Sequence, residues 1–228
     1  MKIKVGAFVL LLALAGPVLA MGDVPKGTEL GKQLTSIKPA GGATTFRTIA
    51  DTWVYAFRPD KNYGDGLGWK DITNPGAPYS VPRIFIGFGG SDVKIGLLKF
   101  DLSGLDKSRP VKNASLKLYN CFAGSDAAVK VDAKRITQPW SETTVTYKTR
   151  PAAGVTVSTT ILQGGRNYND PGKWYDFDVT GAVQAWQGGA ENDGIMLLPQ
   201  GESGVDFEFV CKESAGGAER GPLIEVSY

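Results

Sequence analysis

The sequence predicts an all-β protein, an antiparallel jelly-roll β-sandwich with one short helix. From Thr45 onward, apolar and polar residues alternate with period two in short runs rich in Val, Ile, Thr and aromatics. Clusters of Gly, Pro, Asn and Asp separate the runs, as tight turns between strands require. Helical spacing occurs in one place alone, "TGAVQAWQGG".

Taken in order, residues 1–20 open with Lys2 and Lys4, run apolar from Val5 to Leu14 and close on small residues, the pattern of a secretory signal. Residues 21–44 hold few large apolar side chains and read as a flexible arm or linker. The sandwich domain is expected over 45–228. Its strands are expected in "TIADTWVY", "RIFIGF", "IGLLKF", "ASLKLYNC", "AVKVDAKRI", "TVTYK", "VTVSTTIL", "WYDFDV", "GIMLL", "VDFEFVC" and "LIEVSY". In the helical segment, Val179, Val183 and Trp186 share one side, Thr180 is the expected N-cap and Gly188 the stop. Trp140, Trp174 and Trp186 sit inside element patterns and read as core or corner residues.

Composition narrows the chemistry. The chain has 25 basic and 23 acidic residues, and setting Lys2 and Lys4 aside with the signal leaves the charges balanced. A nucleic-acid partner is therefore not expected, since polyanion binding draws on a basic excess. No segment beyond the signal approaches the roughly 20 apolar residues of a membrane helix, so membrane insertion is not expected either. Histidine is absent, which removes the commonest general base and every His-containing zinc site. Cys121 and Cys211 are either a disulfide, permitted in an exported chain, or two thiols. Strand parity puts Cys121 on the face opposite Leu116 and Leu118 and Cys211 on the face of Phe207 and Phe209, so pairing needs a bulge.

Two segments echo each other, Phe100-Asp101-Leu102-Ser103-Gly104 and Phe177-Asp178-Val179-Thr180-Gly181. In both, a strand ends on an inward Phe, and Asp with Ser or Thr then satisfies backbone N–H groups where the ladder stops. A calcium-ligand role or a glycosidase pair are the alternatives, and the latter needs the carboxyls roughly 5 to 10 Å apart in a cleft.

Candidate binding residues come from aromatics and oxygens. Alternation in "ADTWVY" places Trp53 and Tyr55 with Asp51 on the face opposite Ala50, Thr52 and Val54, where the two rings either stack on sugars or are covered. The long stretch after "NYGD" supplies Trp69 and Tyr79, either as a binding loop or as packing over a sandwich edge. Asp51, Asp60, Asn62 and Asp65 are candidate ligands of a structural calcium, although their order does not satisfy an EF-hand.

The segments "ADTWVY", "NYGD", "LLKFDLSGL", "ASLKLY", "WSETTVTY", "WYDFDVTGAVQAW", "NDGIMLL" and the ending "FVCKESAGGAERGPLIEVSY" together resemble the DNRLRE-type, disaggregatase-related modules over residues 46–228. The resemblance implies a secreted jelly-roll sandwich, often with structural calcium, and a role in carbohydrate binding or adhesion. Cys211-Lys212-Glu213 stands where such modules tend to show Ser-Arg-Glu. The function expected is thus an exported, non-catalytic module binding extracellular polysaccharide or a surface glycan. The alternative is a subunit of an extracellular filament, matrix or coat that assembles through its N-terminal arm.

Overall fold

The computed structural model describes residues 36–37, 42–64, 82–89, 92–201, 204–214 and 216–228. Among these lie eleven strands: β1 (Ser36–Ile37), β2 (Ala43–Tyr55), β3 (Arg83–Gly89), β4 (Asp92–Phe100), β5 (Asn113–Ala123), β6 (Ala128–Ile136), β7 (Ala153–Gln163), β8 (Lys173–Asp178), β9 (Ile195–Gln200), β10 (Asp206–Val210) and β11 (Leu223–Ser227). Two helices accompany them, α1 (Thr180–Gln187) and α2 (Gly217–Arg220). The expected helix is α1; α2 is a single turn in "GAER", too short to carry a helical period.

Every pairing is antiparallel. One layer of the sandwich runs β1-β2-β11-β5, with β10 extending β5 along the β11 edge and β8 on its other edge. The other layer runs β2-β4-β9-β6-β7. β2 belongs to both, pairing β11 through residues 43–47 and β4 from Thr48 onward, with a register shift between Thr48 and Ala50 where it bends across. β3 closes the opposite side by pairing both β10 and β4.

The inward rows follow the alternation. Ala114, Leu116 and Leu118 of β5, Phe207 and Phe209 of β10, and Ile224 and Val226 of β11 are buried together with Val179, Ala182, Val183 and Trp186 of α1. Thr180 is not the N-cap. That position is Val179, without a side-chain cap, and the Thr180 hydroxyl instead accepts the Ala114 N–H at the start of β5. Asp101 and Asp178 each accept the N–H two residues on, from Ser103 and Thr180, both at 2.9 Å. Each carboxylate thus closes its own turn, as the echo predicts.

Two expectations fail for one reason. "TVTYK" forms no strand; the N–H of Val145 bonds back to Ser141 O and that of Thr146 to the Thr149 hydroxyl, so the segment is a chain of turns. This β6–β7 loop folds over the outside of the β4–β9–β6 layer, where Val145, Trp140 and Tyr147 pack with Val54, Ile95, Leu97, Ile136 and Met196 in a second apolar cluster. Because that outer face is covered, residues 51–55 of β2 are all buried and alternation no longer marks a wet side. Trp53 and Tyr55 take the parity opposite Val54 and belong to the main core, so they are not a sugar-stacking platform. Trp53 is 0 % exposed, stacked on Tyr63 at 4.0 Å and tilted against Phe85 at 4.7 Å. The ammonium of buried Lys94 lies over the Tyr55 ring at 4.9 Å and pairs with Asp206.

Truncating Trp53 to Ala should cost about 3–5 kcal/mol of unfolding free energy. Truncating exposed Val155 should stay within about 0.5 kcal/mol. Denaturant titration of both variants checks the contrast.

Candidate functional site: an aromatic groove over β5 and β10

The side of β5 and β10 that faces away from the core carries a groove of about 280 Å³. Its floor is Tyr119 and Cys121 of β5, Val210 of β10 and Arg83 of β3, residues that alternate with buried Leu118, Asn120, Phe209 and Ile84. Tyr168, Asp170 and Gly172 of the β7–β8 loop form one wall, and Ser214, Gly216 and Arg220 the other. Gly172 is required for the loop to lie this close, since a Cβ there would sit 2.2 Å from the Tyr119 ring.

A bulge shapes the floor. In the β5–β10 register Asn120 faces Phe209 and Phe122 faces Glu208, so Cys121 is the extra residue, looking outward. Its thiol donates to Glu208 O at 3.3 Å. Cys211 is buried behind β10, within 3.4 Å of the Ser214 hydroxyl. The two cysteines are therefore separate thiols, not the disulfide, because the bulge that was needed to turn Cys121 inward leaves it on the groove side.

Aromatic rings line the groove in fixed orientations. Tyr168 stacks on Phe122 at 4.4 Å and 17° while remaining 45 % exposed. Tyr119 meets Trp174 edge-on at 5.2 Å, and the Arg220 guanidinium lies over the Tyr119 ring at 5.3 Å. The Tyr168 hydroxyl donates to Glu208 Oε1 at 2.6 Å and so roofs that carboxyl, which is 3 % exposed. Burial pushes the Glu208 carboxyl up to about 7, outweighing the Tyr168 hydrogen bond and the charges of Arg83 and Lys94, while Asp206 reinforces the rise. Burial and the Glu208 charge likewise raise the Tyr168 phenol and, with Arg83 opposing, the Cys121 thiol. Rigid ring faces beside guanidinium and carboxyl groups are what a ligand with apolar C–H faces and many hydroxyls needs.

Of the sequence-predicted sugar-binding residues, Trp53 and Tyr55 are core, and Trp69 and Tyr79 fall outside the described residues. A signal for Tyr119 was available, as it takes the outward parity in "ASLKLYNC". Tyr168 and Arg220 sit in loop and turn, where no period applies.

The expected calcium ligands also part company. Asp60 pairs at the surface with Lys148, at 2.8 Å, because both are exposed ends of loops that cross there. Asn62 spends its amide on the backbone, donating to Glu142 O and Val145 O at 2.9 and 2.6 Å and accepting from Gly64 N–H. Asp65 lies outside the described residues. Asp51 joins a buried knot instead. Its N–H donates to Glu142 Oε1 at 2.9 Å, its Oδ2 accepts the Lys212 N–H at 3.0 Å, and the Lys212 ammonium reaches Glu142 Oε1 at 2.6 Å and also pairs with Glu213. Burial pushes the Asp51 carboxyl up to about 7, against the pull of Lys212. The knot holds a thiol and an ammonium where calcium calls for six to eight oxygens, so this donor set does not fit that ion.

Glu208 gives the groove a pH signature. Its folded-state value lies above the ordinary 4.5, so the protonated form is favoured by folding; the contribution is complete below about 4.5 and is lost as pH rises through about 7. Relative to Glu208→Gln, the native protein should lose melting temperature as pH rises from about 4.5 through about 7. A difference that does not change with pH would show an ordinary carboxyl.

Comparison with known proteins bears on this geometry. The chain is 26 % identical over 200 residues to the tRNA nuclease WapA of Bacillus subtilis strain 168, to the tRNA(Glu)-specific nuclease WapA of Bacillus subtilis subsp. natto, and to the tRNA3(Ser)-specific nuclease WapA of Bacillus spizizenii. Each match covers 85 % of this chain but only 8 % of the relative. A family match covers residues 42–220, from the start of β2 to the end of α2 and thus every described residue that lines the groove. The chain belongs to carbohydrate-binding module family 96.

Proposed function

We propose that the chain is an exported, non-catalytic module that binds extracellular polysaccharide or a surface glycan, and that it does so in the groove over β5 and β10. The observation that carries this is the pairing of ring faces from Tyr119 and Tyr168 with the charged ends of Arg83, Arg220 and Asp170 on a sheet floor. Family membership supports the ligand class. A nuclease role borrowed from the WapA proteins has less support, given the 8 % coverage and a net charge of +2. A carboxylate-pair hydrolase has less still, because Asp101 and Asp178 are each committed to a turn.

Tyr168→Ala, which removes a ring face, and Arg220→Ala, which removes a guanidinium, should each weaken retention on the best ligand of a polysaccharide panel by roughly 2- to 10-fold. Affinity electrophoresis measures it, with melting temperature as the control for folding. Unchanged retention in both variants would place binding elsewhere.

A second reading, assembly into an extracellular filament or coat, draws on β7. It ends the strand order, is eleven residues long without a charged residue, and leaves Val155 and Ile161 exposed at 73 and 59 %. Long, uncharged edges of this kind accept an added strand. The arm is the proposed donor, although Ser36–Ile37 already pair with β2 of their own chain. Size-exclusion chromatography should then show concentration-dependent oligomers that disappear when residues 21–35 are removed; a monomer at all concentrations removes this reading.

A further inference from the structure

The knot behind the groove contains donors that the architecture leaves unused. Asp51, Cys211 and Glu213 each place one ligand-type atom within 4.8 Å of the others. Asp51 and Cys211 are both 1 % exposed, while Glu213 opens to solvent and gives access from one side. Asp51 uses only Oδ2, on the Lys212 N–H; Oδ1 is buried with no hydrogen-bond partner among the described residues. Such an orphan is uncommon in a native interior and asks for a partner.

Charge points the same way. The Lys212 ammonium pairs with both Glu142 and Glu213, while Asp51 receives only the Lys212 backbone N–H. The sulfur is placed to help. Ser214 donates its hydroxyl hydrogen to Pro82 O at 2.6 Å and accepts the Cys211 N–H at 3.0 Å and an Arg83 N–H at 3.3 Å, and the Cys211 sulfur lies 3.4 Å from that hydroxyl within the cluster.

We propose that Asp51, Cys211 and Glu213 form a binding site for a thiophilic divalent cation of the zinc and cadmium class, with water completing the shell. One thiolate and two carboxylates suit a borderline ion in four-coordinate geometry, whereas calcium and magnesium take oxygen alone. On binding, the metal–sulfur bond replaces the S–H bond and the proton leaves to buffer, with no change of oxidation state. Glu213 transfers from Lys212 to the metal, and Lys212 keeps Glu142. The site is independent of glycan binding in the groove.

Titrating the full chain, reduced and stripped of metal, with cadmium should give a thiolate-to-metal charge-transfer band that saturates at one equivalent. Cys121→Ser should keep the band. Cys211→Ser, which installs the residue that the resembling modules tend to carry there, should abolish it. Zinc calorimetry in two buffers of different ionisation enthalpy should report at least one proton released per metal. Glu213→Gln, at an exposed position that does not threaten folding, should weaken zinc by roughly 10- to 100-fold, at least the worth of an outer-shell partner. No band in the native chain, a band that survives Cys211→Ser or follows Cys121, or equal zinc affinity in Glu213→Gln would each overturn the assignment.

Discussion

Glu142 joins segments that lie far apart in sequence. One carboxylate oxygen receives the Asp51 N–H of β2 and the Lys212 ammonium from the loop after β10, while its own carbonyl receives the Asn62 amide. Gly64 passes so close that a Cβ would lie 2.0 Å from that carbonyl. The same contacts press the β6–β7 loop onto the outer face of the β4–β9–β6 layer and hold Tyr63 over Trp53. A layer that alternation would leave half wet thereby acquires a second dry face. Buried charges of this kind gain little net stability over apolar replacements, yet losing one partner leaves a charge stranded, so the knot acts chiefly to fix how the loops sit.

The groove inherits its position from that arrangement. Lys212 and Ser214 belong to the segment that leads from β10 into α2, and α2 carries Arg220 to the Tyr119 ring. Arg47 of β2 donates to Gly221 O and Glu219 O at the end of α2. The bulge at Cys121 supplies the remaining constraint, since it sets which β5 side chains face outward near β10. The groove thus stands on hydrogen-bonded strands and is walled by two short segments.

Much of the fold is legible in the sequence because period two is a local signal. β6 is read to the residue, and β3, β5, β8 and β10 to within about two. "TVTYK" shows where the signal breaks down: a β-rich composition forms a strand only when another strand offers it a ladder, and here its N–H groups close turns. Trp53 and Tyr55 fail as binding residues because they face the main core, while a distant loop buries Val54 on the opposite face as well, so no local period tells which row is inward. Tyr168, Arg220 and Glu208 escape for a related reason. Their meaning comes from register, since only pairing β5 with β10 puts Phe122 opposite Glu208 and brings Tyr168 over both.

The ladder between β2 and β11 places Ala43 opposite Ser227, so the start of β2 and the end of β11 lie side by side at one pole. Tension between those two ends therefore loads a single hydrogen-bonded pair at a time and unzips the ladder instead of shearing it. A pull applied at that pole would open β2 from β11 before it reached the strands beneath the groove.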